Sequence, residues 1–410
     1  MHDRQLYQQI LGIAAPWFVE RVDLDLEAGT VNVHLAHRED ATWNCSECGR
    51  ECPLHDHAPQ RTWRHLDTCQ YRTLLHSETP RSCCPEHGIR SIRLPWAEPH
   101  SRFTLLFERL AIAWLQEASQ SAVARRMGLS WDEAHGIMDR AVRRGLKRRE
   151  NELTSYIGVD EKAFRKGHRY VTVVTDLDRG RVLFVAKDRK QSSLDGFWEL
   201  LSVDQLGAID GVAMDMWDPY VTSTLEYLPW AEEKIVYDKF HVAKHLGEAV
   251  DKVRRSENKA LVTEGDQSLV GTKYQWLRNP ANFSGDQWRA FRDLRTSKLK
   301  TARAWALKEQ AMALWNYRYE ASAQKHFDWW YRWATHCRLK PMIEKAKMLK
   351  ARLPNILTYL KHGITNAASE SVNSKIQWVK YTARGFRNFD NFVNAIYFHC
   401  GDLDLSPSPT

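Results

Sequence analysis

The spacing of apolar residues changes along the chain and divides it into regions of different predicted structure. Residues 18–37 (FVERVDLDLEAGTVNVHLAH) alternate apolar and polar positions, which predicts two strands joined by a turn at Glu27–Thr30. Residues 101–150 repeat apolar positions at helical spacing and predict helices. From residue 155 predicted strands alternate with helices, and from about residue 250 to 362 the pattern is helical throughout.

The region from residue 155 has the order of elements typical of an α/β fold. A strand (YIGVDEKAF), a hairpin with its turn at Leu177–Gly180 and a helix over 192–203 precede the strands IDGVAMD and KIVYD. Between the last two strands, Asp218 and Pro219 predict a helix start, with the aspartate as N-cap and the proline at the first helical position. Elements that alternate in this way predict a sheet covered by helices.

The segment NAASESVNSKIQWVKYTARGF (residues 366–386) predicts one amphipathic helix that ends at a glycine. Its apolar stripe consists of Val372, Ile376, Val379 and Ala383. Glu370 lies off the stripe in the first turn, where a carboxylate stabilises the positive end of the helix dipole, and Asn366 is a suitable N-cap. The segment alone therefore favours a structural role for Glu370. Whether Glu370 has a second role depends on evidence from other parts of the chain.

The composition of the chain indicates what kind of partner the protein binds and where in the cell it is found. The 410 residues carry a net charge of +8 and a sequence pI near 9.0, which favours nucleic acid or another polyanion as partner. No apolar run approaches the ~18 residues of a membrane span, and the N-terminus lacks a signal-peptide cleavage site. We therefore expect a cytoplasmic protein with no membrane partner, in which the eight cysteines do not form structural disulfides.

Six of the eight cysteines lie between residues 45 and 84. Cys45 and Cys48 form a CxxC pair, and Cys84 and His87 form a CxxH pair. Two such pairs are how a zinc ribbon collects four ligands, so they predict a closed structural zinc site that does not catalyse. A set of reduced, metal-free cysteines is the alternative. The competing ligands nearby are Cys52, His55, His57, Cys69 and Cys83.

Residues 121–144 (SAVARRMGLSWDEAHGIMDRAVRR) predict two helices separated by Gly128, with Ser130 capping the second. The pattern fits a DNA-binding helix-turn-helix, and a plain helical hairpin is the alternative. The second helix ends in a cluster of cations that suits phosphate contacts, although a solvated helix end has the same composition. The cluster consists of Arg143, Arg144, Lys147, Arg148 and Arg149.

Two aspartates are predicted at strand ends in the α/β region. Asp160 ends the first strand and Asp215 ends the fourth, and such carboxylates can converge on one edge of an open sheet. Paired carboxylates repel unless a cation shares them, and two magnesium ions support phosphoryl transfer. Glu370 is placed to supply a third carboxylate. Ordinary strand ends are the alternative, and the rival acids are Glu161, Asp176, Asp178, Asp210, Asp218 and Asp238.

The helical region carries an excess of positive charge. Residues 289–352 contain sixteen lysines and arginines against five acids. Interleaved with these cations are Trp305, Trp315, Trp329, Trp330 and Trp333. Aromatic rings beside cations can stack on exposed bases and pair with phosphates, although packing in a core is the usual role of a tryptophan. The charge excess favours a polyanionic partner.

Four blocks of the sequence resemble, in order, those of bacterial insertion-sequence transposases of the ISL-three class. The blocks are VDEKAFRKGHRYVTVVTDL, GVAMDMWDPYV, KIVYDKFHVAKHL and NAASESVNSKIQWVKYTARGFRNFDNF. The cysteine pattern and the helix-turn-helix extend the resemblance over nearly the whole chain. It implies a DDE enzyme of ribonuclease-H-like fold in which Asp160, Asp215 and Glu370 bind the metal. It also implies a D-x-x-H element, Asp238 and His241, whose histidine contacts DNA near the scissile phosphate.

The predicted architecture is multidomain, because the long interval between Asp215 and Glu370 requires an insertion in the α/β ribonuclease-H-like core. The predicted segments are a strand pair with the zinc-binding domain (1–100), the helix-turn-helix domain (101–152), the first part of the core (153–248), an all-helical, basic, tryptophan-rich insertion (249–362), the last part of the core (363–402) and a loose tail (403–410). The doubled Cys83–Cys84 leaves the fourth zinc ligand open.

We therefore expect a transposase that binds double-stranded DNA, namely the terminal inverted repeats of its element and the target. It would cut at the element ends and transfer the 3′-hydroxyl ends, using two magnesium ions or manganese in their place. We expect a homodimer in the bacterial cytoplasm, associated with the nucleoid. Asn373, Lys375 and Lys380 on the last helix are candidates for DNA contacts. A DNA-binding regulator that does not cut and a nuclease without strand joining are the alternatives.

Overall fold

A computed structural model describes residues 3–150, 152–165 and 169–407, with the backbone alone at 165 and 169. The chain forms two compact units. The first consists of residues 1–150 with 379–410, and the second consists of residues 151–378. This division differs from the predicted one, because the last part of the predicted core is split at residue 378 and the helical region shares a unit with the α/β region.

The first unit starts with a helix and a five-stranded sheet. The elements are α1 (Asp3–Ile10), β1 (Trp17–Asp25), β2 (Thr30–His37), β3 (Trp43–Asn44), β4 (Glu51–Cys52), β5 (Leu54–Arg64), β6 (Arg72–Cys84) and β7 (Gly88–Ser91). The strand order is β1-β2-β6-β5, with β7 on β6 and with β3 and β4 as a separate pair. Alternation along β2 buries Val31, Val33 and Leu35 in a core with Trp17 and Trp63, and confirms the predicted strand pair.

Three helices follow in the first unit. They are α2 (Leu105–Glu117), α3 (Gln120–Met127) and α4 (Trp131–Arg148). The turn between α3 and α4 uses Gly128 at φ +64°, a left-handed conformation that suits glycine. The predicted cap is confirmed: the Ser130 hydroxyl accepts from the Glu133 N–H, and the Glu133 carboxylate accepts from the Ser130 N–H.

The second unit begins with a mixed sheet. Its elements are β8 (Tyr156–Arg165), β9 (Arg169–Asp176), β10 (Arg181–Lys187), α5 (Gln191–Trp198), α6 (Val203–Ala208), β11 (Gly211–Met214), α7 (Asp218–Tyr227), α8 (Ala231–Lys234) and β12 (Ile235–Tyr237). The strand order is β10-β9-β8-β11-β12. Strands β8 and β10 are each antiparallel to β9, whereas β11 is parallel to both β8 and β12. All the predicted strands are present, and the predicted helix over 192–203 is divided into α5 and α6.

The start of α7 corrects a prediction. Trp217 occupies the N-cap position, so Asp218 and Pro219 are the first two helical residues. The Asp218 carboxylate accepts from Arg352 at 2.9 Å and does not cap the helix. The proline signal therefore located the helix start correctly, and the capping role of Asp218 was wrong.

A helical region follows β12. Its helices are α9 (Lys239–Thr263), α10 (Lys273–Leu277), α11 (Gly285–Thr296), α12 (Lys300–Met312), α13 (Glu320–Thr335), α14 (Lys340–Ala351), α15 (Leu353–Leu357) and α16 (Tyr359–His362). Helix α9 runs across the predicted boundary at residue 248 without a break. Trp276, Trp305 and Trp330 are buried in a core that is continuous with that of the sheet, so these tryptophans are structural.

Two helices end the chain, α17 (Ala367–Thr382) and α18 (Phe389–Cys400). The predicted stripe of α17 is buried at Val372, Ile376 and Val379, but Ala383 is exposed beyond the last turn. Asn366 immediately precedes α17, and its carbonyl accepts from the Glu370 N–H, as predicted for an N-cap. Its buried side chain makes no capping bond among the residues that the structure describes. Among the described residues, no helix is long and apolar enough to cross a membrane.

The predicted loose tail is also wrong for the residues that the structure describes. Leu405 and Pro407 are buried, and Leu403 lies so close to Gly145 of α4 that a Cβ there would be 2.6 Å from the leucine Cβ. Helix α18 packs on α4 as well. The apolar residues of DLDLSP therefore hold the C-terminal segment on α4.

Candidate functional site

The parallel strands of the second unit bring three aspartates into one row. Val159 pairs with Met214, and Met214 pairs with Tyr237. The next residue in the chain is an aspartate in each case: Asp160 lies within β8, which continues to Arg165, whereas Asp215 and Asp238 directly follow β11 and β12. The prediction that Asp160 ends its strand is therefore wrong. Neighbouring strands lie ~4.8 Å apart, so the three carboxylates share one edge of the sheet. We call them the carboxylate row.

Asp160 is the member of the carboxylate row on β8. Burial, and then the charge of Asp215, raise the pKa of the Asp160 carboxyl. The Glu161 N–H donates to its Oδ1 at 2.7 Å, and the side-chain amide of Asn373 on α17 donates to its Oδ2. Asn373 is buried and already engaged, which corrects its predicted role as a DNA contact.

The imidazole of His241, in the first turn of α9, joins the other two members of the row. Its Nδ1 pairs with Asp215 Oδ1 and lies 3.2 Å from Asp238 Oδ2. Burial opposes its protonation, but hydrogen bonds to Asp215 and Asp238 outweigh that effect and raise the pKa of His241 to about 10. His241 is therefore a cation at neutral pH and holds both aspartates in place.

The third predicted carboxylate, Glu370, lies on the exposed face of α17. It precedes Asn373 by three residues, and residues three apart are neighbours on one helix surface. The contact between Asn373 and Asp160 thus anchors the helix that carries Glu370 to β8. Asp160, Asp215 and Glu370 do not all approach to within 4.8 Å, so this group is open.

A glycine lets α17 approach β8. A Cβ at Gly158 would lie inside contact distance of Ser369 Oγ and 2.5 Å from Asn366 Oδ1. Both polar side chains are buried and have no hydrogen-bond partner within the described part of the chain. Gly158 is therefore required for the position of the first turn of α17, where Glu370 stands.

Three of the rival acids have arginine partners. Asp176 is buried and pairs with Arg181, Glu161 accepts from Arg189 at 3.1 Å, and Asp218 pairs with Arg352. Arginine neutralises these acids permanently, because it does not lose its proton in proteins. The carboxylate row has a histidine and an amide as partners, and Asp238 Oδ1 is buried with none. An all-oxygen donor set of this kind fits magnesium or manganese.

In the first unit, the structure brings the four predicted zinc ligands together. The ligand atoms of Cys45, Cys48, Cys84 and His87 all lie within 4.8 Å of one another. Cys48 Sγ is 3.7 Å from Cys84 Sγ, which agrees with the edge of ~3.8 Å that a tetrahedron with Zn–S bonds of ~2.3 Å requires.

Two further features of the cluster fit zinc. Backbone N–H groups of His87 and Glu86 lower the pKa of the Cys84 thiol to about 6, and the thiolate is the form that binds zinc. Cys52, one of the predicted competitors, is buried beside the cluster, where its Sγ lies 3.4 Å from the Arg50 carbonyl. The residues present therefore match a closed Cys3His site.

Most of the predicted DNA-contacting cations of α4 already have partners in the first unit. Arg144 pairs with Glu98 and donates to the Leu405 carbonyl at 2.7 Å. Arg148 pairs with Asp404 at 2.7 Å, and Arg149 donates to the Gly401 carbonyl at 2.7 Å. The phosphate-contact prediction needs correction for these three arginines, because they bind the C-terminal segment.

Four predicted DNA contacts remain compatible with such a role. Arg143 is exposed, although it pairs with Asp139 one turn earlier. Lys147 on α4 and Lys375 on α17 are also exposed. Lys380 is half-buried in the last turn of α17. Their contacts with DNA stay predictions.

Comparison with protein families identifies the chain. A model of the ISL3 DDE domain, described as a transposase, matches residues 157–396. The chain belongs to the ISL3 family of transposases. The helix-turn-helix domain of transposase family ISL3 matches residues 92–142, and the zinc finger of transposases IS204/IS1001/IS1096/IS1165 matches residues 41–87.

Curated relatives agree with the ISL3 assignment. The transposase for insertion sequence element IS1557 of Mycobacterium tuberculosis is 28% identical over 419 residues, which cover 95% of this chain and 93% of the relative. The transposase for insertion sequence element IS1001 of Bordetella parapertussis is 29% identical over 397 residues, which cover 96% and 97%. The protein is thus an insertion-sequence transposase with a zinc ribbon, a DNA-binding helix-turn-helix and a DDE domain in that order.

Residue-based reasoning missed part of the site that this ISL3 transposase presents. It treated Asp238 as a rival acid. KIVYD and GVAMD both end in an aspartate, and the structure pairs these two strands in register, so Asp238 is a neighbour of Asp215. Residue-based reasoning also missed the anchoring role of Asn373. No local signal reveals that contact, because it depends on how α17 packs on β8.

Proposed function

We propose that this transposase cuts DNA at the ends of its element and transfers the 3′-hydroxyl ends to a target at a metal site formed by Asp160, Asp215 and Glu370. The observation that carries the proposal is the register of β8 and β11, which sets Asp160 beside Asp215 at the edge approached by α17. Three antiparallel strands followed by two parallel ones support a ribonuclease-H-like fold interrupted by a helical insertion.

The chain's own residues would prepare the reaction. Asp160, Asp215 and Glu370 would hold two magnesium ions, or manganese, through carboxylate oxygens. Asn373 keeps one Asp160 oxygen oriented, and His241 keeps Asp215 and Asp238 oriented until substrate arrives. When bound, the metal ions would activate the attacking water or 3′-hydroxyl and stabilise the leaving oxygen.

The other modules would supply recognition. We infer that the zinc ribbon and the helix-turn-helix bind the terminal inverted repeats, since the second helix of such a motif enters the major groove. The exposed cations among residues 289–352 would bind backbone phosphates of the element or target, whereas Lys308 is buried and Arg352 pairs with Asp218. We also infer a homodimer, because two element ends must be cut and joined together, and action at the nucleoid in the cytoplasm.

The test is a cleavage and strand-transfer assay with the full-length protein. Duplexes that carry the element's end and its flanking DNA are incubated with magnesium, manganese or EDTA, and the products are separated on denaturing gels. We expect nicks at the element end and joined products with either metal, and none with EDTA or with Asp160→Asn. Binding without nicks would contradict the proposal in favour of a regulator, and nicks without joined products would favour a nuclease.

A further inference from the structure

A pocket of about 640 Å³ opens beside the carboxylate row. It is formed by β9, the segment after β10 and the start of α7. Its lining includes Tyr170, Asp188, Arg189, Lys190 and Trp217. Its size lies in the range of pockets that bind small organic groups. We call it the Trp217 pocket.

Arg189 is held at the centre of the Trp217 pocket. Its guanidinium lies over the Tyr170 ring at 4.5 Å and over the Trp217 ring at 4.7 Å from the centroids. Its Nη1 donates to both carboxylate oxygens of Glu161 at 3.1 Å. The side chain is nevertheless 37% exposed, and Nη1 is the only one of its nitrogens used in these bonds. Nε and Nη2 make no hydrogen bond to the residues that the structure describes, so their N–H groups can bind an anion.

Trp217 is fixed with respect to the carboxylate row. Its backbone N–H donates to the Asp215 carbonyl at 2.8 Å, and its indole Nε1–H donates to the Arg189 carbonyl at 3.0 Å. Despite these bonds, 38% of the residue stays exposed. A large aromatic ring that is oriented by hydrogen bonds but left partly uncovered offers a stacking surface.

The distance between Trp217 and the carboxylate row corresponds to a separation of one or two nucleotides along a DNA strand. Trp217 follows Asp215 by two residues, which span at most ~7 Å, and successive nucleotides of one DNA strand rise ~3.4 Å. On β8, Arg189 binds the carboxylate of Glu161, which is the residue after Asp160. A strand whose phosphate lies at the carboxylates would therefore pass this pocket with its adjacent nucleotide.

The pocket's chemistry suits a nucleotide that is not base-paired. The indole offers stacking, Arg189 and the exposed Lys190 offer charge for a phosphate, and the half-buried Asp188 offers an acceptor for a base N–H. We propose that the Trp217 pocket binds an unpaired nucleotide next to the scissile phosphate. The inference rests on the proposed cleavage at Asp160, Asp215 and Glu370.

The experiment measures binding, so that it does not depend on cleavage. Fluorescence anisotropy gives the dissociation constants of the full-length, zinc-loaded protein in calcium for three duplexes that carry the element end. One duplex is fully paired, one has a single mismatch just inside the expected cleavage point and one has it just outside. We expect one mismatched duplex to bind about tenfold more tightly than the paired one, because its base is already free to leave the stack.

The variants decide what recognises the free base. Trp217→Ala should remove the roughly tenfold preference, since stacking of one base on an aromatic ring is worth that much, whereas Trp217→Phe should keep most of it. Trp230→Ala, at a tryptophan that is 80% exposed elsewhere in the same unit, should keep it fully. Preference for the inner mismatch assigns the nucleotide to the element, and preference for the outer one assigns it to flanking DNA.

Two results would overturn the inference. One is equal binding of all three duplexes by the wild-type protein, and the other is an undiminished preference in Trp217→Ala. Failure of the proposed function would look different: the duplexes would stay uncut in magnesium, whatever their binding preference.

Discussion

The two candidate metal sites of this transposase are built in opposite ways. The Cys45–His87 cluster already has the dimensions of a zinc tetrahedron and contains four protein ligands. The proposed site of Asp160, Asp215 and Glu370 is not closed: Asp160 is bound by Asn373 and Asp215 by His241, and Glu370 is exposed on α17. One site is complete within the protein, and the other leaves room for a substrate.

The difference follows from what each site must do. A closed site stabilises a small domain with little core and has no free coordination position. A site for phosphoryl transfer must accept DNA and metal together, so its carboxylates need temporary partners when the substrate is absent. We infer that the amide of Asn373 and the imidazolium of His241 have this role, whereas the arginines bound to Asp176 and Asp218 keep their charge permanently.

The largest effect should come from breaking the closed site. Cys84→Ser removes a buried zinc ligand, and binding of structural zinc is worth on the order of 10 kcal/mol in small zinc domains. We expect loss of zinc and of protease resistance in the first unit, measured by metal analysis and limited proteolysis. Cys83→Ser is the matched control, because Cys83 is adjacent to Cys84 in the sequence but is exposed. Equal zinc content in both variants would show that Cys84 is not a ligand.

The open site should be sensitive to the approach of α17. Gly158→Ala places a methyl group against Ser369 and Asn366, and we expect a loss of about 3 kcal/mol in the free energy of unfolding together with loss of cleavage. Gly196→Ala on α5, where a Cβ would be 3.6 Å from its nearest atom, Phe184 Cζ on β10, should instead stabilise the protein by up to about 1 kcal/mol. Urea unfolding compares the two, and a neutral Gly158→Ala would contradict the packing described.

The two units should respond to pH in opposite directions. Burial lowers the pKa of His65 in the first unit to about 4, below its unfolded value, so its neutral form contributes stability above pH ~6.5 that is lost as pH falls toward 4. Between pH 7 and 5 the loss should be about 2 kcal/mol. The pKa of His241 is raised, so its contribution is full below pH ~6.5 and is lost as pH rises through about 10.

The matched variants for this contrast are His65→Gln and His241→Gln. Urea unfolding of His65→Gln should show a smaller loss of stability between pH 7 and 5 than the wild type. His241→Gln should show a smaller loss between pH 7 and 10. The same pH dependence in the wild type and both variants would show that neither histidine causes the change of stability with pH.

The smallest effects should come from single cations of α4. Lys147→Ala should weaken binding of the element end severalfold and reduce the slope of log affinity against log salt by about 1, because an exposed lysine is free to meet a phosphate. Arg148→Ala should change DNA affinity less than twofold, because Arg148 already binds the C-terminal segment. Anisotropy titrations at several salt concentrations test this, and equal losses would restore Arg148 as a DNA contact.

The sequence predicted those features that local signals determine. Alternation located the strands and the Leu177–Gly180 turn, and the serine before an apolar helical run located the Ser130 cap. The pairing of β8 with β11 brings Asp160 and Asp215 together, but Asp160 lies within its strand and not at the predicted strand end. Prediction failed where distant elements decide a residue's role. Asn373 and Arg148 were both predicted to contact DNA. Asn373 instead binds Asp160 and Arg148 binds Asp404, and these partners are far away in the sequence and become neighbours only in the folded chain. The resemblance to a family, and not residue spacing, singled out His241.

The central claim is that Glu370 binds metal and does more than favour a helix dipole. The direct test is the cleavage rate of Glu370→Gln with magnesium, beside Glu320→Gln, which removes another exposed first-turn glutamate, on α13. We predict that Glu370→Gln lowers cleavage by at least about a hundredfold while it still binds the element end, and that Glu320→Gln cleaves like the wild type. Retained cleavage in Glu370→Gln would contradict the account.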